Sequence, residues 1–224
     1  MGRLEKVLDK ADELGMVVIV GYFYFGQEPR MKDEATVVAG VKNATEWLTG
    51  KGHTNVLVEI ANECDIQYKH EVLEPKRVGE LMKVVRESSA GKVKNGAKQL
   101  YVSVSMSGGK VPSAEVVEAS DFVLLHGNGV KDPKKIPAMV EATRKLKGFA
   151  AKPIVFNEDD HFGFEKPENN FLAATAAHAS WGYFDFRMKD EGFAEGYQSM
   201  PADWGISSAR KKGFFELLKK MSGE

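Results

Sequence analysis

The 224-residue chain has one cysteine, Cys64, so no internal disulfide framework braces it and a buried core must do that work. It has no excess of either charge. Lys and Arg number 31 against 32 Asp and Glu, for a net charge of −1, and no basic block or aromatic-spaced Arg/Lys stripe appears. A nucleic-acid footprint needs such a patch, so no nucleic-acid partner is expected. Long apolar runs are also missing: the longest, "GMVVIVGYFYFG", is too short to span a bilayer. The opening "MGRLEKVLDKADELG" is charged and amphipathic, unlike a signal peptide. A soluble, cytoplasmic protein without a membrane partner is the expectation, with export left open should a segment precede Met1. Two turns contain glycine, "GYFYFGQEPR" and "SMSGGKVP", and neither has the spacing of a nucleotide phosphate loop. No cofactor is therefore expected.

What is present is alternation. Leu4, Val7, Leu8, Ala11 and Leu14 form an apolar helix face that ends at Gly15. "MVVIV" lacks polar alternation and predicts a strand buried on both faces. Asp33 caps a helix with Val37, Val41, Ala44 and Leu48 on one side; "NVLVEI" is a second strand. Pro75 opens a helix with Val78, Leu81, Met82 and Val85, followed by strands "LYVSVS" and "FVLLH". Asp132-Pro133 opens a helix with Ile136, Met139, Val140 and Thr143, and "PIVFN" is the fifth strand. A helix over Phe171 to His178 leads to "WGYFDF", the sixth strand, and Ser207 or Ser208 caps a last helix with Phe214, Phe215 and Leu218. Strict alternation implies parallel strands with helical crossovers. The expectation is an α/β, TIM-barrel-like chain of six βα units forming a single domain over 1–224, with no repeat or linker to divide it.

In such a barrel, polar residues just past the strand ends share one face, where chemistry sits. Two of those ends are alike. "NVLVEIANECD" stops at Asn62-Glu63 and "KPIVFNEDDHF" stops at Asn157-Glu158. Tyr22, Tyr24 and Gln27 follow the first strand, Ser105 and Ser107 the third, His126 and Asn128 the fourth, and Asp159, Asp160 and His161 the fifth. Trp181 opens the sixth. The face is acidic and aromatic with amides and imidazoles between. It suits a neutral, hydroxyl-rich ligand: carboxylates act on it, amides hold its hydroxyls, rings stack on sugar C–H faces. Cleaving a glycosidic bond takes two carboxyl groups, one to protonate the leaving oxygen and one to attack or to activate water.

An Asn-Glu strand end and a Glu strand end three strands later resemble clan A glycoside hydrolases, which are retaining (β/α)8 barrels. The resemblance extends along the whole chain. "GMVVIVGYFYFGQ", "NEDDHF" and "GYQSMPADWGISSARKKGFF" also resemble cellulase-like bacterial barrel proteins. It implies Glu63 as acid/base, Glu158 as nucleophile, Asn62 on the sugar 2-hydroxyl, Trp181 as a stacking floor and His126 as a ring beside the nucleophile. Tyr22, Tyr24, Asn157 and His161 complete the expected substrate contacts. The clan counts its catalytic strands as four and seven; here they are two and five, so its first two strands, and the arginine its second strand brings, have no counterpart. Such a barrel exposes strand edges at "MVVIV" and "WGYFDF", and bare edges invite pairing, so the expectation is a homodimer or higher assembly, or else a contracted barrel in which those two strands meet.

Other readings stand beside these. The chain fits a non-catalytic carbohydrate-binding or scaffold barrel, or a metal-dependent lyase or isomerase on the same fold. "EDDH" has hard-metal ligand types but lacks the paired histidines of a hydrolytic zinc site, so no metal is expected. Asp159 and Asp160 orient the loop or cap the next helix. Glu59 points to a salt bridge between strands and helices. His126 suits a hydrogen-bonded core position as well as a ligand contact, and His178 is a structural residue on its helix. Trp47 belongs to the core, Trp204 packs beneath the barrel or lines the cleft, and Cys64, with no histidine base to place beside it, is a packing residue.

Overall fold

A computed structural model describes residues 1–185, 190–192, 206 and 208–223. Seven helices and six strands alternate along the described residues: α1 (Gly2–Glu13), β1 (Val18–Phe23), α2 (Glu34–Gly50), β2 (Val56–Ala61), α3 (Val78–Ser89), β3 (Tyr101–Ser103), α4 (Ala114–Ala119), β4 (Val123–His126), α5 (Lys135–Arg144), β5 (Ile154–Asp159), α6 (Asn170–Ala176), β6 (Ser180–Tyr183) and α7 (Ala209–Ser222). The strands form two three-stranded sheets, ordered β1-β2-β3 and β4-β5-β6. Parallel pairing joins β1 to β2, β2 to β3 and β5 to β6, as the alternation predicts. This is the TIM-barrel-like α/β arrangement of six βα units. Contacts group the chain into two compact units, one of Met1–Ser107, Pro112–Leu124 and Thr143–Pro153, the other of Gly108–Val111, Leu125–Ala142 and Ile154–Glu224. Among the described residues no helix is long and apolar enough to cross a membrane.

In the first unit, β2 is the middle strand, with Val20 opposite Val58 and Val58 opposite Val102. Period-two alternation sends Val56, Val58 and Ile60 into a core with Val37, Val41 and Leu48 of α2 and Leu81, Met82 and Val85 of α3. Each such side chain contributes about 1.5–3 kcal/mol by leaving water. The same alternation puts Glu59 on the opposite face, in register with Gly21 and Ser103, rather than toward the helices as expected. Asp33 caps α2 by accepting the Thr36 N–H at 2.8 Å, as expected.

Several boundaries move. The strand expected at "MVVIV" begins two residues later, and Met16 and Val17 are exposed. Its residues are half-buried or exposed instead of buried on both faces, because β1 is an outer strand of its sheet. The stripe on α1 divides: Leu8 and Ala11 are buried while Val7 and Leu14 are exposed. Pro75 precedes α3 by a turn instead of opening it, with Arg77 at the N-cap. The six-residue α4 was not foreseen; Ser113 caps it through the Val116 N–H. Helix α6 closes before His178, which lies just past the end with φ 55°.

In the second unit β5 is the middle strand. Its pairing with β6 is irregular between Phe156 and Asp159. Phe164, Phe171, Trp181, Tyr183 and Phe214 pack their rings together and tie α6 and α7 to β6. Ser208 accepts the Lys211 N–H and caps α7; Ser207, the other candidate, lies outside the described residues, as do Trp204 and the last residue of "WGYFDF".

Candidate active site

Strand β2 ends at Ala61, and the next two residues are the first Asn-Glu pair. Their backbone is held from three directions. The Asn62 N–H donates to the Phe23 carbonyl at 3.0 Å, and the Asn62 carbonyl accepts the Tyr68 hydroxyl at 2.6 Å. Glu63 has φ 51°, a left-handed conformation uncommon for a side-chain-bearing residue. Its N–H donates to Ser105 Oγ at 2.9 Å, and the next N–H, of Cys64, donates to the Ser105 carbonyl at 2.9 Å. Asp65 accepts both the N–H and the hydroxyl of Ser107, at 2.6 and 2.7 Å. The segment after β3 thus fixes the turn that presents Glu63, which is half-buried. Farther along, buried Glu28 accepts the N–H groups of Lys69 and His70, fastening the loop after β1 to the loop after β2.

Tyr22 turns its hydroxyl to Thr45 on α2 at 3.1 Å, and burial pushes the phenol up to about 12. Tyr24 is 49% exposed and its ring stacks on Phe25 at 4.3 Å. Cys64 is wholly buried, and burial, reinforced by the charge of Asp65, pushes its thiol up to about 12. That suits a packing residue and not a thiolate nucleophile.

Strand β5 carries the second pair within its last three residues. The structure brings His126 and Glu158 together: Nδ1 lies 3.4 Å from Oε2, with the imidazole fully buried and the carboxylate side chain 18% exposed. The Gly127 N–H donates to the Glu158 carbonyl at 2.7 Å, so β4 and β5 hold the pair through backbone as well as side chains. Asn157 is half-buried, and its side-chain oxygen has no partner among the described residues. His161 is half-buried; burial, with the charge of Lys166, holds its imidazole below the usual range. Trp181 is half-buried, and its indole N–H donates to Asp159 Oδ2 at 2.8 Å.

Asp159 is the residue whose weight was missed. It is fully buried and receives the Asn170 amide at 2.9 and 3.2 Å as well as the His161 N–H at 3.1 Å. It orients the loop, as expected, but Asn169 caps α6, through the Leu172 N–H. No sequence signal marks its burial: alternation from Ile154 and Phe156 points to Glu158, and Asp159 joins the buried face only because the register shifts after Phe156. Among the described residues no group of three or more His, Cys, Asp or Glu side chains is gathered as a metal ion would require.

No protein-family model matches the chain. No curated protein matches it by sequence. Solved structures share its fold. Over 98% of its length it aligns with a glycoside hydrolase family 5 protein from Bacteroides vulgatus, at TM-score 0.63 and 14% identity. Over 97% it aligns with a GH5-4 broad specificity endoglucanase from Bacteroides salanitronis, at TM-score 0.66 and 11% identity. Over its whole length it aligns with GH5_18 from Streptomyces cattleya, solved with GlcNAc, at TM-score 0.63 and 13% identity. It covers 51%, 74% and 66% of those three chains. The chain therefore spans about half the length of the Bacteroides vulgatus protein. The resemblance to clan A barrels read from the sequence holds at the level of the fold.

Proposed function

We propose that the chain acts as a retaining glycoside hydrolase on a β-linked glycan. One observation carries this: the middle strand of each three-stranded parallel sheet ends in Asn-Glu, Asn62-Glu63 after β2 and Asn157-Glu158 on β5. Likeness in fold to family 5 endoglucanases supports the choice of reaction. Retention needs two carboxyl groups about 5–5.5 Å apart, one acidic and one ionised.

Glu63, in its acid form, gives its proton to the glycosidic oxygen as the bond to the anomeric carbon breaks. Glu158, as the carboxylate, attacks that carbon and forms a glycosyl ester. Water then attacks the same carbon, Glu63 takes its proton, and Glu158 leaves as carboxylate, restoring the β configuration. His126, 3.4 Å from Glu158 Oε2, orients the nucleophile. Asn62, Asn157 and His161 supply hydrogen bonds to sugar hydroxyls, and Trp181 and Tyr24 supply aromatic surface.

Glu158→Gln tests the assignment. Turnover of an aryl β-glycoside should fall by roughly a thousandfold or more while the far-ultraviolet dichroism stays unchanged. In the parent chain a 2-deoxy-2-fluoro-β-glycoside should accumulate as an ester on the peptide containing Glu158. Unchanged turnover by the variant, or label on another residue, would refute the nucleophile. Glycan binding without turnover, unaffected by the substitution, would instead favour a non-catalytic binding barrel.

A further inference from the structure

Asp159 closes β5 one residue after Glu158 and is shut away from solvent. Three kinds of N–H converge on its carboxylate: the Trp181 indole at 2.8 Å, the Asn170 amide at 2.9 and 3.2 Å, and the His161 backbone at 3.1 Å. On the β4 side Gly127 leaves the room it occupies. A Cβ there would lie 2.2 Å from Oδ2 and 2.4 Å from Cγ, so no other residue type fits without moving the acid. The same region clasps the loop after β4 twice more: the Gly129 N–H donates to Asp160 Oδ1 at 2.9 Å, and the Asn170 amide donates to the Val130 carbonyl at 2.9 Å.

We propose that Asp159 is a positioning residue: its ionised carboxylate sets the angle of the Trp181 ring and the path of the loop that starts at His161, and so shapes a surface on which a sugar stacks. The sugar clause rests on the glycoside hydrolase reading; the positioning itself does not. The ring contacts of Trp181 are all aromatic: it is stacked with Tyr183 at 6.1 Å, tilted against Phe171 at 5.3 Å and Phe214 at 5.9 Å, and edge-on to Phe164 at 6.0 Å. Those contacts confine the ring, and the bond to Asp159 fixes its rotation.

Charge matters because every group aimed at the two oxygens is a donor. An ionised carboxylate accepts them all; a protonated one adds a hydrogen that none of these donors can accept. Burial nonetheless favours the proton and pushes Asp159 up to about 6, against the opposing pull of the Trp181 and Asn170 hydrogen bonds. On its own segment the titratable neighbours are Glu158, Asp160 and His161; the turn after β4 faces it with Gly127, β6 with the Trp181 indole and α6 with neutral Asn170. Asp160 adds to the rise. The sign follows. Above about 6 the acid is ionised and Trp181 is held; below it the proton enters and the indole bond is given up.

The experiment uses the full chain with Trp47→Phe and Trp204→Phe, which leaves Trp181 as the one emitter of three tryptophans. Its emission is followed from about pH 8 down to about pH 4.5. A sigmoidal change centred near 6 is expected, lost in Asp159→Asn and kept in Glu158→Gln. A flat profile, or one that survives Asp159→Asn, overturns the assignment. Should Asp159→Asn fail to fold, the Trp181 indole ¹⁵N–¹H resonance of the otherwise native chain serves instead: it should move with the same midpoint, and a static resonance overturns the assignment. On a soluble β-linked oligosaccharide Asp159→Asn should raise KM about tenfold with kcat changed far less. A titrating Trp181 in a chain that turns over no glycan would sustain the positioning role and defeat the hydrolase reading alone.

Discussion

The two acids that carry the proposed chemistry are legible because each follows an apolar run and an asparagine; how they are held is not. Glu63 occupies a left-handed conformation stabilised by a residue 42 positions away, since its N–H donates to Ser105 Oγ. Ser105 was visible only as a polar residue after the third strand, and nothing in its neighbourhood says which backbone group it satisfies. Removing the hydroxyl leaves a part-buried N–H unpaired while the backbone strain remains, so Ser105→Ala should cost about 1–3 kcal/mol in thermal or denaturant unfolding. It should also lower kcat more than it raises KM, because it moves the acid/base and not the sugar-binding surface; an unchanged kcat would show that the turn holds itself. Asp159 is legible as a loop-orienting residue, but its hold on Asn170 and Trp181 is not, because those partners belong to other elements. Its burial also sets a sign for stability: with its acid raised in the folded state, its contribution is fully present at low pH and is lost as the pH rises through about 6.

Elements were readable where the pattern was long. The largely apolar "NVLVEI" became β2 almost to the residue, and the Asp33 cap with Val37, Val41 and Leu48 gave α2. Helix α4 escaped because six residues hold too little periodicity to register, although Ser113 marks its start. β1 was misplaced because "MVVIV" looks like the interior strand it is not. An interior strand is covered on both faces and both edges, whereas Met16 and Val17 are exposed and β1 has only β2 beside it among the described residues. The contrast between β1 and β2 is testable. Ile60 is fully buried in the core cluster, and Ile60→Ala should cost about 2–5 kcal/mol, since transfer and cavity costs add. Val18→Ala on half-buried β1 should cost clearly less by the same denaturant measurement. Equal losses would mean that β1 is covered in solution.

That last outcome bears on the whole molecule. The fold class was legible from alternation alone, and its likeness to family 5 structures spans 97–100% of the chain. Association is a separate question, and the two outer strands named by the sequence differ. β6 has four residues and an irregular pairing with β5, both features that protect an edge. β1 has six residues, "VIVGYF", with no charge and no proline, and its flanks expose Val7, Leu14, Met16 and Val17. An outer strand without such protection is a template for another chain, and a twofold axis lets it pair with itself, one copy's β1 running antiparallel to the other's. We therefore expect a homodimer through β1 and not through β6. Sedimentation equilibrium should give twice the single-chain mass, and Val17→Lys, which places a charge beside the strand at an exposed position, should return it to the single-chain mass without lowering the unfolding temperature. If the parent sediments as a single chain at every concentration tested, no second copy covers β1. If Val17→Lys stays dimeric, the copies meet through some other surface.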